Sequence, residues 1–267
     1  MKNMPVIELI KERKSVRSYT GEPLSQEIIN CINKYTRELS PPFGAAARIE
    51  LISAQTDNQP TKLGTYGVIS GATNFMLLIC KDGFMSEVGA GYMFEQLVLY
   101  CTELGLGTCW LGGTLNRKDF LEQVTIEKDE KLTVISPVGY KKEKRRLIDS
   151  MMRAVAGSDN RKPFDSIFFK DNFDTPLDKA EAGNYLVPLE MVRLAPSASN
   201  KQPWRIIMKD GVFHFYHHVG SFSTNDIGIA LCHFELTCRE LGLTGRYEIM
   251  PDIPSQNGTN YVMSWVL

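Results

Sequence analysis

The chain has 267 residues, 43% hydrophobic and 23% charged, enough apolar material for one large core or two modest ones and too much for a disordered chain. Its 30 basic and 31 acidic residues leave a net charge of -1, so no overall field draws in nucleic acid or an anionic membrane surface, and any bound anion must be met by a local cluster. Six cysteines without a CxxC pair suit reduced thiols, no secretory apolar region opens the chain, and no apolar run approaches the ~18 to 20 residues that cross a bilayer; a cytoplasmic protein is expected.

Residues 7–13, IELIKER, read as a short helix, followed by an extended stretch, RKSVRSY, over residues 13–19. Alternation puts Arg13, Ser15 and Arg17 on one face, where two guanidinium forks and a hydroxyl can grip a phosphate; the plainer alternative is a solvated basic edge. A turn-rich segment then leads into an Arg-containing strand, PPFGAAARIELI over residues 41–52, and FMLLIC over residues 75–80 is the longest strongly apolar run.

Next comes the first copy of an internal repeat. GYMFEQLVLYCTELGL, residues 91–106, aligns with GIALCHFELTCRELGL, residues 228–243, with seven of sixteen positions identical. Phe94, Leu97, Cys101 and Leu104 in one copy, and Leu231, Phe234, Cys238 and Leu241 in the other, fall at helical spacing, and Gly105 and Gly242 supply the left-handed residue that stops a helix. Two helices sharing an ELGL end by chance would not explain the matching Cys, Glu and upstream Gly, so the chain is read as a duplication.

The run GLGTCWLGG, residues 105–113, follows the first repeat helix. Its small residues let a ligand approach the backbone, or they mark a helix stop before a buried strand; the spacing fits neither a Walker loop nor GxGxxG. A late strand, LTVISPVGY over residues 132–140, leads into the basic run KKEKRR, residues 141–146, where Lys144 and Arg146 are spaced to reach the same anion as Arg13. Residues 141–173 begin as a helix pattern, break at Arg161-Lys162-Pro163, and bridge to the second half.

There LAPSASNKQPW, residues 194–204, sets short hydroxyl and amide side chains between two prolines, a rigid loop that can read the polar edge of a flat cofactor or simply make turns. The strand-like VFHFYHHV, residues 212–219, holds three of the four histidines without the cysteine or carboxylate pattern of a zinc site. A final strand, NYVMSWV over residues 260–266, closes the second copy, and with no Gly-x-Ser-x-Gly elbow the chemistry is expected from a cofactor.

Taken in this order, the basic RKSVR opening, the PSASNKQPW loop, the GLGTCWLGG segment, PVGY at residues 137–140 and KRRL at residues 144–147 resemble the FMN-dependent nitroreductase superfamily, and specifically its subset in which a duplicated chain folds as an intramolecular pseudo-dimer. The resemblance implies an α+β nitroreductase-like fold of antiparallel-rich sheets with flanking helices. One intertwined domain is expected, its first half about residues 1–147 and its second about 148–267, acting as a monomer. By the same resemblance Arg13, Ser15, Lys144 and Arg146 hold the FMN phosphate, Arg17 and Asn200 the polar flavin or ribityl atoms, and Trp110, Leu111, Gly112 and Gly113 the ring, with Lys14 also among the cofactor-binding residues and Pro196, Ser197, Ser199 and Asn200 contributed by the second half.

The counterparts that would make a second site look degraded: PPFGAAA lacks the Ser and Asn of the other loop, and RKPFD at residues 161–165 lacks the Arg-x-Ser-x-Arg alternation. One FMN per chain is therefore expected. The resemblance further implies ping-pong transfer of a hydride from NADH or NADPH through flavin to a small electron acceptor, with no side chain acting as catalyst. Enone reduction or dehalogenation on the same fold, an FMN-binding sensor or carrier without turnover, and an interaction protein that has lost both sites are the alternatives.

Overall fold

The computed structural model describes residues 4–56, 59–60, 64–113, 115–143, 149, 157, 160–220 and 223–267. In chain order these form α1 (Val6–Glu12), α2 (Gln26–Glu38), β1 (Ala47–Ser53), a small hairpin of β2 (Gln55–Thr56) and β3 (Gln59–Pro60), β4 (Asn74–Lys81), α3 (Phe84–Glu103), β5 (Gly107–Thr108), α4 (Arg117–Leu121) and β6 (Glu130–Gly139). The second half holds β7 (Phe168–Lys170), α5 (Leu186–Leu194), β8 (Trp204–Lys209), β9 (Val212–His218), α6 (Asn225–Glu240), β10 (Arg246–Glu248) and β11 (Thr259–Val266).

The apolar run read from the sequence becomes β4, flanked by β1 and β6 in the order β1-β4-β6-β5. Its pleat divides the run in two. Met76, Leu78 and Cys80 pack with Met93, Phe94 and Leu97 of α3, while Phe75, Leu77 and Ile79 pack with Tyr19, Val68 and Phe120 on the opposite face. A strand covered on both faces has no need of polar alternation, which explains the unbroken hydrophobic stretch. Tyr35 of α2 stacks on Tyr100 of α3 at 4.1 Å between centroids.

The second sheet has the order β10-β11-β9-β8-β7. Read from the other edge it is β8-β9-β11-β10, the same succession of elements as in the first sheet, with β7 added alongside β8. Among the named strands every pairing is antiparallel except β7 with β8. The antiparallel-rich α+β architecture expected from the sequence is thus present.

Both repeat helices start before their matched glycines and end alike. Gly105 and Gly242 sit at φ +79° and +70°, and the next N–H bonds back five residues, Leu106 to Cys101 and Leu243 to Cys238, each at 2.9 Å, the Schellman closure that a left-handed glycine permits. The matched upstream glycines lie where α3 and α6 cross. A Cβ at Gly91 would fall 2.3 Å from the Asn225 carbonyl oxygen, and one at Gly228 would fall 2.0 Å from that of Val88. Val88 and Asn225 each stand three residues before their own glycine, so each glycine meets the other copy's equivalent residue, the reciprocity of a two-fold axis.

The halves also share side-chain packing. Val88 and Tyr92 of α3 belong to the same buried cluster as Phe213, Phe215, Leu231 and Phe234, and the Tyr92 hydroxyl donates to Glu235 at 2.8 Å. α1 rests across this crossing, with Leu9 and Ile10 clustered against Leu99 of α3 and Met191 of α5.

Candidate functional site

Because α1 is fixed against α3, the chain leaves it at Arg13 directly over the helix crossing. From there the backbone runs beside β5: Ser15 bridges to Thr108 in parallel and the Val16 N–H donates to the Thr108 carbonyl at 2.8 Å. This close approach requires Gly107, where a Cβ would lie 2.8 Å from the Cβ of Val16. The extended basic stretch is therefore an edge addition to the first sheet, ended by Tyr19 bridging to Lys141.

A cleft of about 240 Å³ opens along this segment, lined by residues 12–18 together with Thr102, Leu106, Lys141, Lys142, Glu143 and Asp149. Arg13, Lys14, Ser15 and Arg17 are thereby gathered as the sequence suggested. Lys141 and Lys142, at the start of the basic run, join them; Lys144 and Arg146 lie outside the described residues. Against these five cations stand three lining carboxylates, of which Glu12 faces Lys141 at 3.8 Å and Asp149 accepts a hydrogen bond from the Ser18 hydroxyl, and Glu95 behind Arg13 makes a fourth. The balance favours a bound anion, and a phosphate fits the donor set of guanidinium, ammonium and hydroxyl groups.

Arg13 is 8% exposed and pairs with Glu95, a fully buried carboxylate in the middle of α3. Glu95 Oε1 lies 3.8 Å from Arg13 Nε and 2.9 Å from His233 Nε2 of α6, while Oε2 accepts the Trp110 indole N–H at 2.9 Å. The other ring nitrogen of His233 lies 2.9 Å from the Met191 carbonyl oxygen. A buried carboxylate is stable only when donors surround it, and here donors from both halves converge on one. Neither Glu95 nor His233 was among the residues singled out from sequence. The available signal was a glutamate at a position whose helical neighbours are all apolar.

Trp110, Leu111, Gly112 and Gly113 do not line this cleft. Trp110 joins it indirectly, through Glu95, and its ring meets Phe94 edge-on at 4.9 Å. Leu111 exchanges backbone hydrogen bonds with Ile135 at 2.9 and 3.0 Å, and the Gly112 carbonyl accepts from Arg117 at 2.6 Å. Beyond these anchors Gly112 and Gly113 are exposed, and a Cβ on either would meet nothing within 4 Å. In the glycine run, then, Gly105 stops a helix, Gly107 admits the basic strand, and the last two present open backbone.

Pro196, Ser197, Ser199 and Asn200 lie on the second half and do not line the cleft either. Ser197 Oγ accepts the Gln202 N–H at 2.8 Å, and Ser199 is exposed. The Asn200 amide donates to the carbonyls of Gly157 and Asn160 at 2.7 and 2.8 Å, and its oxygen accepts from Arg161 at 3.2 Å. Ser199, Asn200 and Gln202 all adopt positive φ, a conformation that costs a side-chain-bearing residue on the order of 1 kcal/mol and has to be over-determined by surrounding bonds.

Two nearby groups titrate abnormally. Burial pushes the Asp226 carboxyl up to about 7, against the pull of the Ala198 N–H that it accepts at 3.0 Å. Burial likewise raises the Cys109 thiol beneath the cleft, with Arg17 and a hydrogen bond from Ser15 drawing it back down. Among the described residues no group of His, Cys, Asp and Glu is arranged to hold a metal ion, and no helix is long and apolar enough to cross a membrane.

The model of the family described as "Putative TM nitroreductase" matches residues 5–238. Among solved structures, a "putative nitroreductase" from Thermotoga maritima is 22% identical, with a TM-score of 0.65 and coverage of 100% of this chain and 95% of that one, which shows a common fold. A "putative nitroreductase in complex with fmn" from Desulfovibrio desulfuricans is 20% identical and covers 56% of this chain and 96% of its own, with a TM-score of 0.43. A nitroreductase "with Bound FMN" from Bacteroides fragilis is 18% identical over 54% of this chain and 92% of its own, with a TM-score of 0.42. No curated protein matches. With the family model spanning most of its length, the chain belongs to this nitroreductase family.

Proposed function

We propose that the protein binds one FMN between its two halves and works as an NAD(P)H-dependent oxidoreductase on an electron-poor small molecule. The observation that carries this reading is the cleft at Arg13, Lys14, Ser15 and Arg17 in a chain of the nitroreductase family. At about 240 Å³ the cleft is smaller than the roughly 300 to 1,000 Å³ of sites that enclose a whole ligand. It suits the phosphate end, leaving the ring to extend over exposed backbone.

Bound FMN supplies the hydride acceptance and release that no side chain here provides. The chain's own residues position and polarise. Arg13, steadied by Glu95, and Ser15, with Lys14, Lys141 and Lys142 beside them, meet the phosphate, and Arg17 reaches the polar flavin or ribityl atoms; Lys144 and Arg146 are assigned to the phosphate by their place in the basic run. The backbone N–H groups of Gly112 and Gly113, with Trp110 and Leu111 as their anchors, face the ring. Pro196, Ser197, Ser199 and Asn200 cover it from the second half.

The reciprocal α3–α6 crossing and the shared buried cluster support a single intertwined domain over residues 1–267, in which the interface of a two-fold dimer is satisfied internally and the monomer is the working unit. One FMN per chain follows because only the first half carries the basic opening and only the second the PSASN loop.

The test is the visible spectrum of the purified protein after FMN addition and desalting, followed by anaerobic NADH or NADPH. Close to one flavin per chain, bleached by one of the nicotinamides, is the expected result. Flavin that is retained but stays oxidised would move the assignment to a carrier or sensor, and no retained flavin would remove it.

A further inference from the structure

We propose that Lys162, Lys201 and Arg205 form a second anion site, for a phosphate-type oxyanion, at the Gln202 end of the 196–202 loop. Elsewhere several lysines sit beside carboxylates: Lys11 with Glu8, Lys81 with Asp129, Lys131 with Glu87, Lys170 with Glu181 and Lys179 with Glu190. Among the described residues no carboxylate pairs with Lys162, Lys201 or Arg205. Three cations are brought together without an ionic partner in a protein whose charges otherwise balance.

What they share is a single carbonyl. Lys162 Nζ and Arg205 Nη1 lie 3.4 and 3.1 Å from the backbone oxygen of Gln202, so the two positive groups are separated by no more than the span of those contacts. Gln202 is 3% exposed and sits at φ 47°, the left-handed region that a side-chain-bearing residue occupies only when its neighbours enforce it. Its N–H is taken by Ser197 Oγ and its side-chain oxygen by the Lys162 N–H, each at 2.8 Å. The strained turn thus aims one carbonyl between two cations, and a partial charge of that size cannot neutralise both. Consistent with an unrelieved cluster, the Lys162 ammonium is driven below its usual range by burial and then by Arg205 and Lys201.

The donor geometry selects the ligand class. Arg205 spends Nη1 on the Gln202 and Trp204 carbonyls, and its Nε and Nη2 have no acceptor among the described residues. A guanidinium edge beside the Lys162 ammonium, with Lys201 close enough for its charge to act on Lys162, offers more donors than a two-oxygen carboxylate can use and matches the oxygens of a phosphate. Gln202 also links the cluster to the flavin-facing loop, since its side-chain amide donates to the Asn200 carbonyl at 3.1 Å. The phosphate has two possible sources, the free ion or the 2′-phosphate of NADPH; the proposal does not depend on the flavin reading.

The test is calorimetric titration of inorganic phosphate, in phosphate-free buffer, into FMN-loaded protein, or into the protein as purified if it retains no flavin. The same titration is run on Arg13→Ala, which removes the first cleft's contribution, and in that background on Lys162→Gln/Arg205→Gln and on the exposed Lys201→Gln. Phosphate should still bind Arg13→Ala and weaken at least about tenfold when the double change is added, the loss expected when a charged hydrogen bond is removed. Lys201→Gln should weaken it by about threefold, and this variant retains the test if the double variant unfolds. Binding that survives all Lys162, Lys201 and Arg205 changes, or that disappears in Arg13→Ala, would overturn the proposal by placing the ion in the first cleft. Competition by NADP⁺ but not NAD⁺ would identify the nucleotide phosphate as the occupant, and competition by neither would identify the free ion.

Discussion

Two residues before each matched glycine, the halves solve one problem in different ways. In the first half the position is Gly89, where a Cβ would lie 2.4 Å from the Cβ of Ala45 and 2.6 Å from the Pro42 carbonyl oxygen, so the 41–46 loop lies directly on α3. Its Phe43 joins the core, edge-on to Tyr92 and Tyr247 at 5.8 and 5.6 Å. In the second half the position is Asp226, whose carboxylate accepts the Ala198 N–H and holds the 196–202 loop away from α6 by the length of a side chain. One loop has been absorbed into packing. The other is suspended on a hydrogen bond and keeps its polar residues, so that one loop is given over to packing while the other leaves polar groups for the ligand role proposed above.

The largest expected effect comes from that suspension. The folded-state pKa of Asp226, about 7, is above the roughly 3.9 of an unfolded aspartate. The folded chain therefore keeps a proton that the unfolded chain releases, and stability falls as pH rises from about 4 to 7 and stays low above it. Asp226→Asn keeps an acceptor for the Ala198 N–H and removes the burial cost, so it should be more stable than wild type by up to about 4 kcal/mol at pH 8 and little changed at pH 4. Urea unfolding at both pH values reads the difference. Equal stabilities at pH 8 would mean that the carboxylate is not paying for burial and that the two loops are held by equivalent means.

The helix crossing is where the halves should behave identically. Gly91→Ala and Gly228→Ala each drive a methyl into backbone, not into a yielding side chain. The gain of about 1 kcal/mol in helix propensity is outweighed by overpacking, and each variant should lose about 3 kcal/mol net. Calorimetric unfolding should show matching losses. A large loss in one and none in the other would break the two-fold reciprocity.

These glycines also show what a sequence discloses. The two matched helices were legible because helix periodicity, the Gly stop and the matched Cys and Glu stand in both segments, and β4 was legible because a strand buried on both faces leaves a continuous apolar run. Glu95 was hidden because a glutamate in a helix ordinarily marks a wet face; only the fold brings Arg13, Trp110 and His233 to it. β7 was hidden in the bridge because its register comes from pairing with β8 and not from its own three residues. Gln202 was unremarkable in a turn-rich loop, and its left-handed backbone is imposed by Ser197 and Lys162. Local patterns carried the elements, while the partners of Glu95 and Gln202 are supplied only by the folded chain.

The basic segments offer the next contrast. Arg13→Ala should weaken FMN retention by ~1.5 to 3 kcal/mol, the range for hydrogen bonds to charged groups, whereas Arg161→Ala, at the start of the degraded RKPFD segment, should change it by less than about threefold. Dissociation constants from flavin fluorescence check both. Equal losses would mean that the second half contributes a phosphate contact as well, and that the division of labour between halves is less complete than proposed.

The smallest effect separates two uses of one hydroxyl. Ser197 Oγ accepts the Gln202 N–H at 2.8 Å, which spends one lone pair and leaves its proton and a second lone pair for a ligand. Ser197→Ala should cost about 1 kcal/mol of stability by leaving that N–H unmatched, and on the flavin-facing reading of the loop it should also weaken FMN by a similar amount. A stability loss with unchanged FMN affinity would assign Ser197 to the turn alone, leaving the second half's contribution to Ser199 and Asn200. Because Asn200 already bonds to Gly157, Asn160 and Arg161, its amide would have to exchange one of those partners to reach a flavin, and the Ser197 result decides whether that exchange has to be invoked.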